Sequence, residues 1–293
     1  MITRFDHAVI GVADLEQAIR RYRELGFAVS PGGHHPGRGS CNAIIRFGLD
    51  YLELLAVADA VEATASGGNG RALVEFLRER DGGPLGYALA TGDIAEDAER
   101  FRRTGMAADG PFAMQRLRPD DRLLAWRLLV PGGVSWRRPW PFLIQWDTPD
   151  DERLSWEQPG THPNGATGVA GVVLAVHDLD RAIDLYQRQL DLRLGRRDEV
   201  SDFVARRATF SVGSRRIELL APTGVGPVQR ILAASGEGVF ALMLTVESLE
   251  HTRAFFAQRA IDVEAPPGER ATVHIPAHQT LGTRLVFNTA DEA

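Results

Sequence analysis

Glu53 lies in the apolar run Tyr51-Leu52-Glu53-Leu54-Leu55-Ala56, where strand alternation puts its carboxylate on one face with Tyr51 and Leu55. A carboxylate among such neighbours is expensive to bury without a cation or hydrogen-bond donors. Its presence asks for a chemical reason. His7, in Phe5-Asp6-His7-Ala8-Val9-Ile10, falls with Phe5 and Val9 on one face of an equally apolar run. His34 and His35 stand in the Gly/Pro-rich stretch 31–39, long enough to fold over the mouth of a cleft, or simply to be solvated. Cys41 and Asn42 follow on a strand, so one of them faces inward. Cys41 is a nucleophile only beside a base, and is otherwise a buried inert thiol. Arg116, Arg118 and Arg127, then Trp136-Arg137-Arg138-Pro139-Trp140, combine guanidinium groups with aromatic surface. Such a set suits an acidic or planar ligand, with Arg116 and Trp140 as the candidate contacts. The plainer reading is an exposed arginine-rich face with the tryptophans packed beneath it.

A repeat must position these residues. Val9 to Tyr22 recurs as Val173 to Tyr186, and Leu52-Glu53-Leu54-Leu55-Ala56 recurs as Ile217-Glu218-Leu219-Leu220-Ala221. Weaker copies begin at Gly86 and Phe240. Each copy runs from an apolar strand through Asp14, Asp93, Asp178 or Ser248, residues that cap a helix. An aromatic residue follows eight positions later: Tyr22, Phe101, Tyr186 and Phe256. The repeat predicts four strand–helix–strand units, with the first helix over 14–25 and its strands over 5–12, from Val29, over 41–47 and over 51–57. The second unit has a strand at 86–91, a helix at 93–104, a hairpin at 112–130 and a strand over 141–147. The division expected is 1–150, a linker at 151–167, and 168–293.

The chain has 293 residues, 44% hydrophobic and 25% charged, with a net charge of −6. These are values of a globular protein, and no basic run invites nucleic acid or an anionic membrane. No apolar stretch reaches spanning length and the start reads as a strand, so a cytoplasmic location is expected. All 33 basic residues are Arg, which excludes a Schiff-base lysine and a P-loop lysine. The single cysteine excludes an internal disulfide and a thiolate zinc cluster.

Four βαβββ units in pairs resemble the vicinal oxygen chelate superfamily, also called glyoxalase/bleomycin-resistance/dioxygenase proteins. The motifs at residues 5–57, with Pro31 to Gly37, Asn42-Ala43 and Tyr51 to Leu54, resemble its glyoxalase-like domain subfamily. The resemblance implies an α+β fold: tandem βαβββ modules paired into two half-barrel domains, with the active half at 1–150. It implies a divalent-metal site at His7, Glu53 and Gln145, with Zn, Fe, Mn, Ni and Mg not distinguished. Gly86 falls where a fourth ligand would stand. Asn42 is then a substrate contact beside His34 and His35, and His7 and Glu53 are the catalytic residues. The second half keeps Glu218, paired with Arg215 or Arg216, but has Gly171 and Ala241 at the histidine positions, so it is expected to be metal-free. The function implied is a glyoxalase-like small-molecule enzyme, with lyase, isomerase or oxygen chemistry. Two alternatives are a metal-free binding or sequestration protein of the bleomycin-resistance type, and an enzyme using His7 and Glu53 as a bare acid–base pair. The expected partner is a small molecule, and a homodimer is left open.

Overall fold

Four capped helices organise the chain in the computed structural model, which describes residues 1–133, 136–264 and 272–290. The first unit is β1 (Ile2–Val12), α1 (Leu15–Glu24), β2 (Ser30–His35), β3 (Ser40–Arg46) and β4 (Tyr51–Val57). Two helices that the repeat does not predict follow, α2 (Ala60–Ala65) and α3 (Gly68–Glu79). The second unit is β5 (Gly82–Thr91), α4 (Ile94–Arg103), β6 (Ala108–Leu117), β7 (Leu123–Pro131) and β8 (Phe142–Trp146). The stretch expected to be plain linker carries α5 (Asp150–Trp156). Then come β9 (Ala166–Ala175), α6 (Leu179–Arg188), β10 (Leu194–Val200), β11 (Ala205–Val212), β12 (Arg215–Pro222) and α7 (Pro227–Ser235). The described part ends with β13 (Gly238–Val246), α8 (Leu249–Ala257), β14 (Thr272–Ile275) and β15 (Arg284–Thr289).

The caps act as the sequence requires. Asp14 accepts from the Gln17 N–H, Asp93 from Ala95 and Glu96, Asp178 from Arg181, and Ser248 from His251. The aromatic residue eight positions on, Tyr22, Phe101, Tyr186 or Phe256, is fully buried in every case. All four sit in one apolar core shared by both halves, against Phe5, Phe27, Phe210 and Phe287. The cross-seam polar bonds also alternate. Tyr22 donates to the Thr280 carbonyl at 3.1 Å, while Tyr186 donates to the Pro139 carbonyl at 2.8 Å and meets the Tyr87 hydroxyl. Each half thus anchors the other through a helix tyrosine.

The first eight strands close into a barrel in the order β1-β4-β3-β2-β6-β7-β8-β5. Parallel pairing joins β1 to β4 and β5 to β8, and antiparallel pairing joins β1 to β5. The half-barrel of the sequence reading is closed here by β2 meeting β6, where His34 lies opposite Leu117. The other sheet, β10-β11-β12-β9-β13-β15-β14, stays open among the described residues. Val228 and Leu232 of α7 pack on it with Val173, Leu220 and Met243. The barrel interior is lined instead by Val9, Leu55, Leu73, Phe142 and Trp126 and keeps a cavity.

Candidate functional site

A bulge in β1 creates the centre of the site. Phe5 lies opposite Leu89 and His7 opposite Ala88, so Asp6 is an extra residue in the ladder. The bulge breaks the simple alternation: Phe5 faces the shared core, whereas His7 and Val9 face the barrel. It also lets Asp6 reach its neighbour. The Asp6 carboxylate is 2.7 Å from His7 Nδ1, and it accepts from Arg4 at 2.6 Å and from the Trp146 indole at 3.0 Å. Burial works to raise the Asp6 pKa, but the His7 hydrogen bond and the charges of His7, Arg4 and Arg153 hold it well below the usual carboxylate range. An ionised carboxylate only accepts, so His7 carries its hydrogen on Nδ1 and leaves Nε2 turned to the cavity. The imidazole stacks on Tyr51 with centroids 4.6 Å apart, and Phe142 meets its edge.

Glu53 stands on β4 across from this nitrogen, 3.6 Å from His7 Nε2 to Oε2. Its other oxygen accepts from Asn42 Nδ2 at 2.6 Å and lies 3.8 Å from His35 Nε2. His35 is fixed at Nδ1 by the Ser40 hydroxyl at 3.0 Å. Desolvation, outweighing the nearby Glu53 charge and joined by the Arg116 charge, pushes the His35 pKa down to about 4. His35 is therefore neutral at neutral pH. Gly32 makes room for this arrangement, because a Cβ there would sit 2.0 Å from Asn42 Oδ1.

The sequence-predicted residues separate into two groups. His7, His35, Asn42, Glu53 and Arg116 line one cavity of about 360 Å³. His34 does not, because residues 30–35 form a strand and alternation turns its side chain to solvent. Trp140 lies outside the barrel, where its indole donates to the Pro131 carbonyl at 3.0 Å. Gln145 also faces outward. It accepts from the Ile94 N–H at 2.9 Å and donates to the Gly92 carbonyl, completing the start of α4, while Ile144 and Trp146 on either side face the cavity. Cys41 is half-buried and burial raises its thiol pKa, as for an inert thiol.

The strand register assigns Glu53 a counterpart other than Gln145. His7 opposes Ala88 and Val9 opposes Gly86, so a local twofold between β1 and β5 equates His7 with Gly86 and Val9 with Ala88. Val9 pairs with Glu53 and Ala88 pairs with Phe142, which makes Phe142 the equivalent of Glu53. The second unit thus offers Gly86 and Phe142, neither of which can bind a metal. Among the described residues no three His, Cys, Asp or Glu side chains are grouped to hold a metal ion. The Glu53 oxygen facing His35 is already bonded to Asn42. The residues present therefore do not fit a metal held from both halves of the barrel.

Trp126, Trp146, Glu157 and Arg153 carry no readable signal in the sequence, whereas Trp136 stands out there only as part of an arginine–aromatic stretch. Trp126, Trp136 and Trp146 line the cavity with Tyr51 and Phe142. Glu157, just past α5, is buried and paired with Arg46, Arg116 and, at 2.7 Å, Arg118. Burial would raise its pKa, but the three guanidinium groups bring it below the ordinary value. Arg153 of α5 is fully buried, with its guanidinium 3.5 Å from the Trp146 ring centroid. Only chain folding brings α5 under the barrel.

Among the described residues the open sheet has no equivalent centre. Gly171 pairs with Arg216 as His7 pairs with Tyr51, and a Cβ at Gly171 would lie 1.7 Å from the Arg216 carbonyl oxygen. No histidine fits there. Glu218 is bound by Arg216 at 2.7 Å, with Arg207 at 3.6 Å.

A closed eight-stranded barrel and an open sheet, each assembled from βαβββ-type units about paired first strands, define an α+β protein of the tandem vicinal-oxygen-chelate type. The chain belongs to the glyoxalase-like domain family, whose model matches residues 5–190, and residues 168–281 match the glyoxalase/bleomycin resistance protein/dioxygenase superfamily. A hypothetical protein from Staphylococcus aureus superposes with a TM-score of 0.70 at 14% identity, covering 99% of this chain and 100% of that one. A mutant of 4-hydroxymandelate synthase from Streptomyces coelicolor superposes with a TM-score of 0.64 at 14% identity, covering 98% and 93%. At that identity both report the fold. No curated protein matches the chain. Among the described residues no helix is long and apolar enough to cross a membrane.

Proposed function

We propose that the chain is a glyoxalase-like small-molecule enzyme in which Glu53 and His7 move a proton on a ligand held inside the barrel. The observation that carries this is the alignment Asp6–His7–Glu53 at the cavity floor, with contacts of 2.7 Å and 3.6 Å. Asp6 fixes the His7 tautomer, so Nε2 is available to accept a proton or to stabilise one held by Glu53. Asn42 orients the carboxylate through its 2.6 Å bond. A ligand oxygen that gains charge as a neighbouring C–H is lost would meet the positive field of Arg116. The substrate class is a compact carbonyl compound with an acidic C–H and an adjacent oxygen.

The test is deuterium incorporation from D₂O into a panel of such carbonyl compounds, followed by NMR. Wild-type protein should catalyse exchange on at least one, and Glu53→Gln should lose roughly 10²–10⁴-fold of the rate. The second reading is a binding or sequestration protein, favoured by the tryptophan-rich walls and by Gly86 and Phe142 at the ligand positions of the second unit. Tight binding with no exchange in any arm would select it. Metal content of untagged protein belongs to the same test. One divalent ion per chain, lost in His7→Ala, would replace the acid–base reading with a metal-dependent one.

A further inference from the structure

The seam between the two halves holds a second cavity, of about 520 Å³, lined from one side by Phe76, Arg80 and Arg137 and from the other by Arg230, Ser235 and Arg284. Arg284 is matched by Glu264 at 2.6 Å, and Glu237 in the wall is engaged by the His177 N–H at 2.7 Å. Arg80 and Arg137 have no carboxylate within ion-pair distance among the described residues. Arg80 donates to the Ser235 hydroxyl at 3.1 Å and Arg137 to the Ser235 carbonyl, which leaves most of their N–H groups free. Both guanidinium groups lie near the Phe76 ring, 5.5 Å and 5.9 Å from its centroid. Two like charges gathered on one ring, beside the exposed Arg230, repel one another unless an anion lies between them. Burial, with the charge of Arg80 beside it, lowers the Arg137 pKa against the opposing charge of Glu79, which lies near but forms no ion pair with it. The backbone holds the cluster in place: Arg137 sits at φ +54°, in the left-handed region, and donates its own N–H to the Leu85 carbonyl.

We propose that this seam cavity binds a small polyanion, a phosphorylated or polycarboxylate metabolite, through Arg80, Arg137 and Arg230. Planar guanidinium groups form paired, charge-assisted hydrogen bonds with phosphate or carboxylate oxygens, and the seam offers them from two elements at once. The cavity also adjoins the candidate active site. Helix α3 carries Phe76 into the seam, and Leu73 and its first residues line the barrel cavity. Trp136, the chain neighbour of Arg137, lines the barrel cavity and donates to the Asn69 carbonyl of α3 at 2.9 Å. An anion drawing Arg137 inward therefore acts on a wall of both cavities.

The experiment is calorimetric titration of the full chain with pyrophosphate and, separately, citrate at fixed ionic strength. Saturable binding at one site per chain is expected, and the tighter of the two arms assigns phosphate or polycarboxylate chemistry. Arg80→Gln and Arg137→Gln should each weaken binding by about tenfold, as for loss of one charge-assisted contact. Arg230→Gln alters an exposed side chain, cannot disturb the fold, and should weaken binding by about threefold. Arg196→Gln, on a distant strand, should leave it unchanged. The proposal is overturned if neither anion saturates, or if all three seam variants bind as tightly as wild type.

Discussion

Glu53 owes its place to three small accommodations: the Asp6 bulge, the Asn42 amide and the space left by Gly32. That chain of cause makes Gly32→Ala a sharp probe. Its Cβ would fall 2.0 Å from Asn42 Oδ1, so the amide must move and release the carboxylate it orients. Proton exchange should drop by about tenfold, and crowding of the buried Asn42 should also cost about 1–3 kcal/mol of stability. Unchanged exchange would mean that Asn42 does not orient Glu53. His35 makes a separate prediction in pH. Its pKa is about 4 when folded and near 6.5 in the ordinary state, so between these values the unfolded chain binds the extra proton. Stability should therefore rise with pH across that window and fall as acid is added, by at most about 3 kcal/mol. Denaturant titrations of wild type and His35→Asn at several pH values measure it. The variant should show a shallower slope between pH 4 and 6.5.

At the scale of elements, α5 matters more than its length suggests. It places Glu157 among Arg46, Arg116 and Arg118, two of which are almost fully buried. Removing one partner of a buried ion cluster leaves the others uncompensated, which is far costlier than losing a surface pair. Glu157→Ala should destabilise the fold by about 3–5 kcal/mol, read from urea unfolding. A loss below about 1 kcal/mol would show that the arginines re-solvate freely. Helices α3 and α7 lie outside the repeat, after the last strands of the first and third units, and they differ in effect. Packing of Val228 and Leu232 from α7 fills the inner face of the open sheet, whereas α3 borders a cavity on the barrel side.

The molecule as a whole is held by one core. Tyr22, Phe101, Tyr186 and Phe256 belong to a single apolar cluster, and side chains from both sheets complete it. A fragment ending at residue 150 would expose that layer and also lose Glu157, so it should fail to fold. Circular dichroism and solubility of the fragment provide the check, and a cooperative thermal transition in it would refute the shared-core account. The seam then does two jobs. It supplies stability through the buried layer, and its arginine-lined cavity stands within one helix of the barrel interior.

The repeat, the four helix caps, the buried aromatic eight positions after each, and the βαβββ order of the first three units were all legible in the sequence. They depend on local propensity and periodicity, which a strand or helix expresses within a few residues. His7 and Glu53 were legible as polar residues in apolar runs, His35 as a polar residue of a Gly/Pro-rich stretch, and Asn42 through the resemblance to the glyoxalase-like motif. Other features depend on contacts between distant segments. One extra residue at Asp6 reversed the face of Phe5, and the register of β5 against β8 put Phe142 rather than Gln145 opposite the carboxylate. Alternation along a newly formed β2 sent His34 outward and His35 inward. The tryptophan walls, the Glu157 cluster and the closure of the barrel come from elements far apart in the chain. Their positions follow from packing and pairing register, and a one-residue shift in register exchanges the faces of every side chain on a strand.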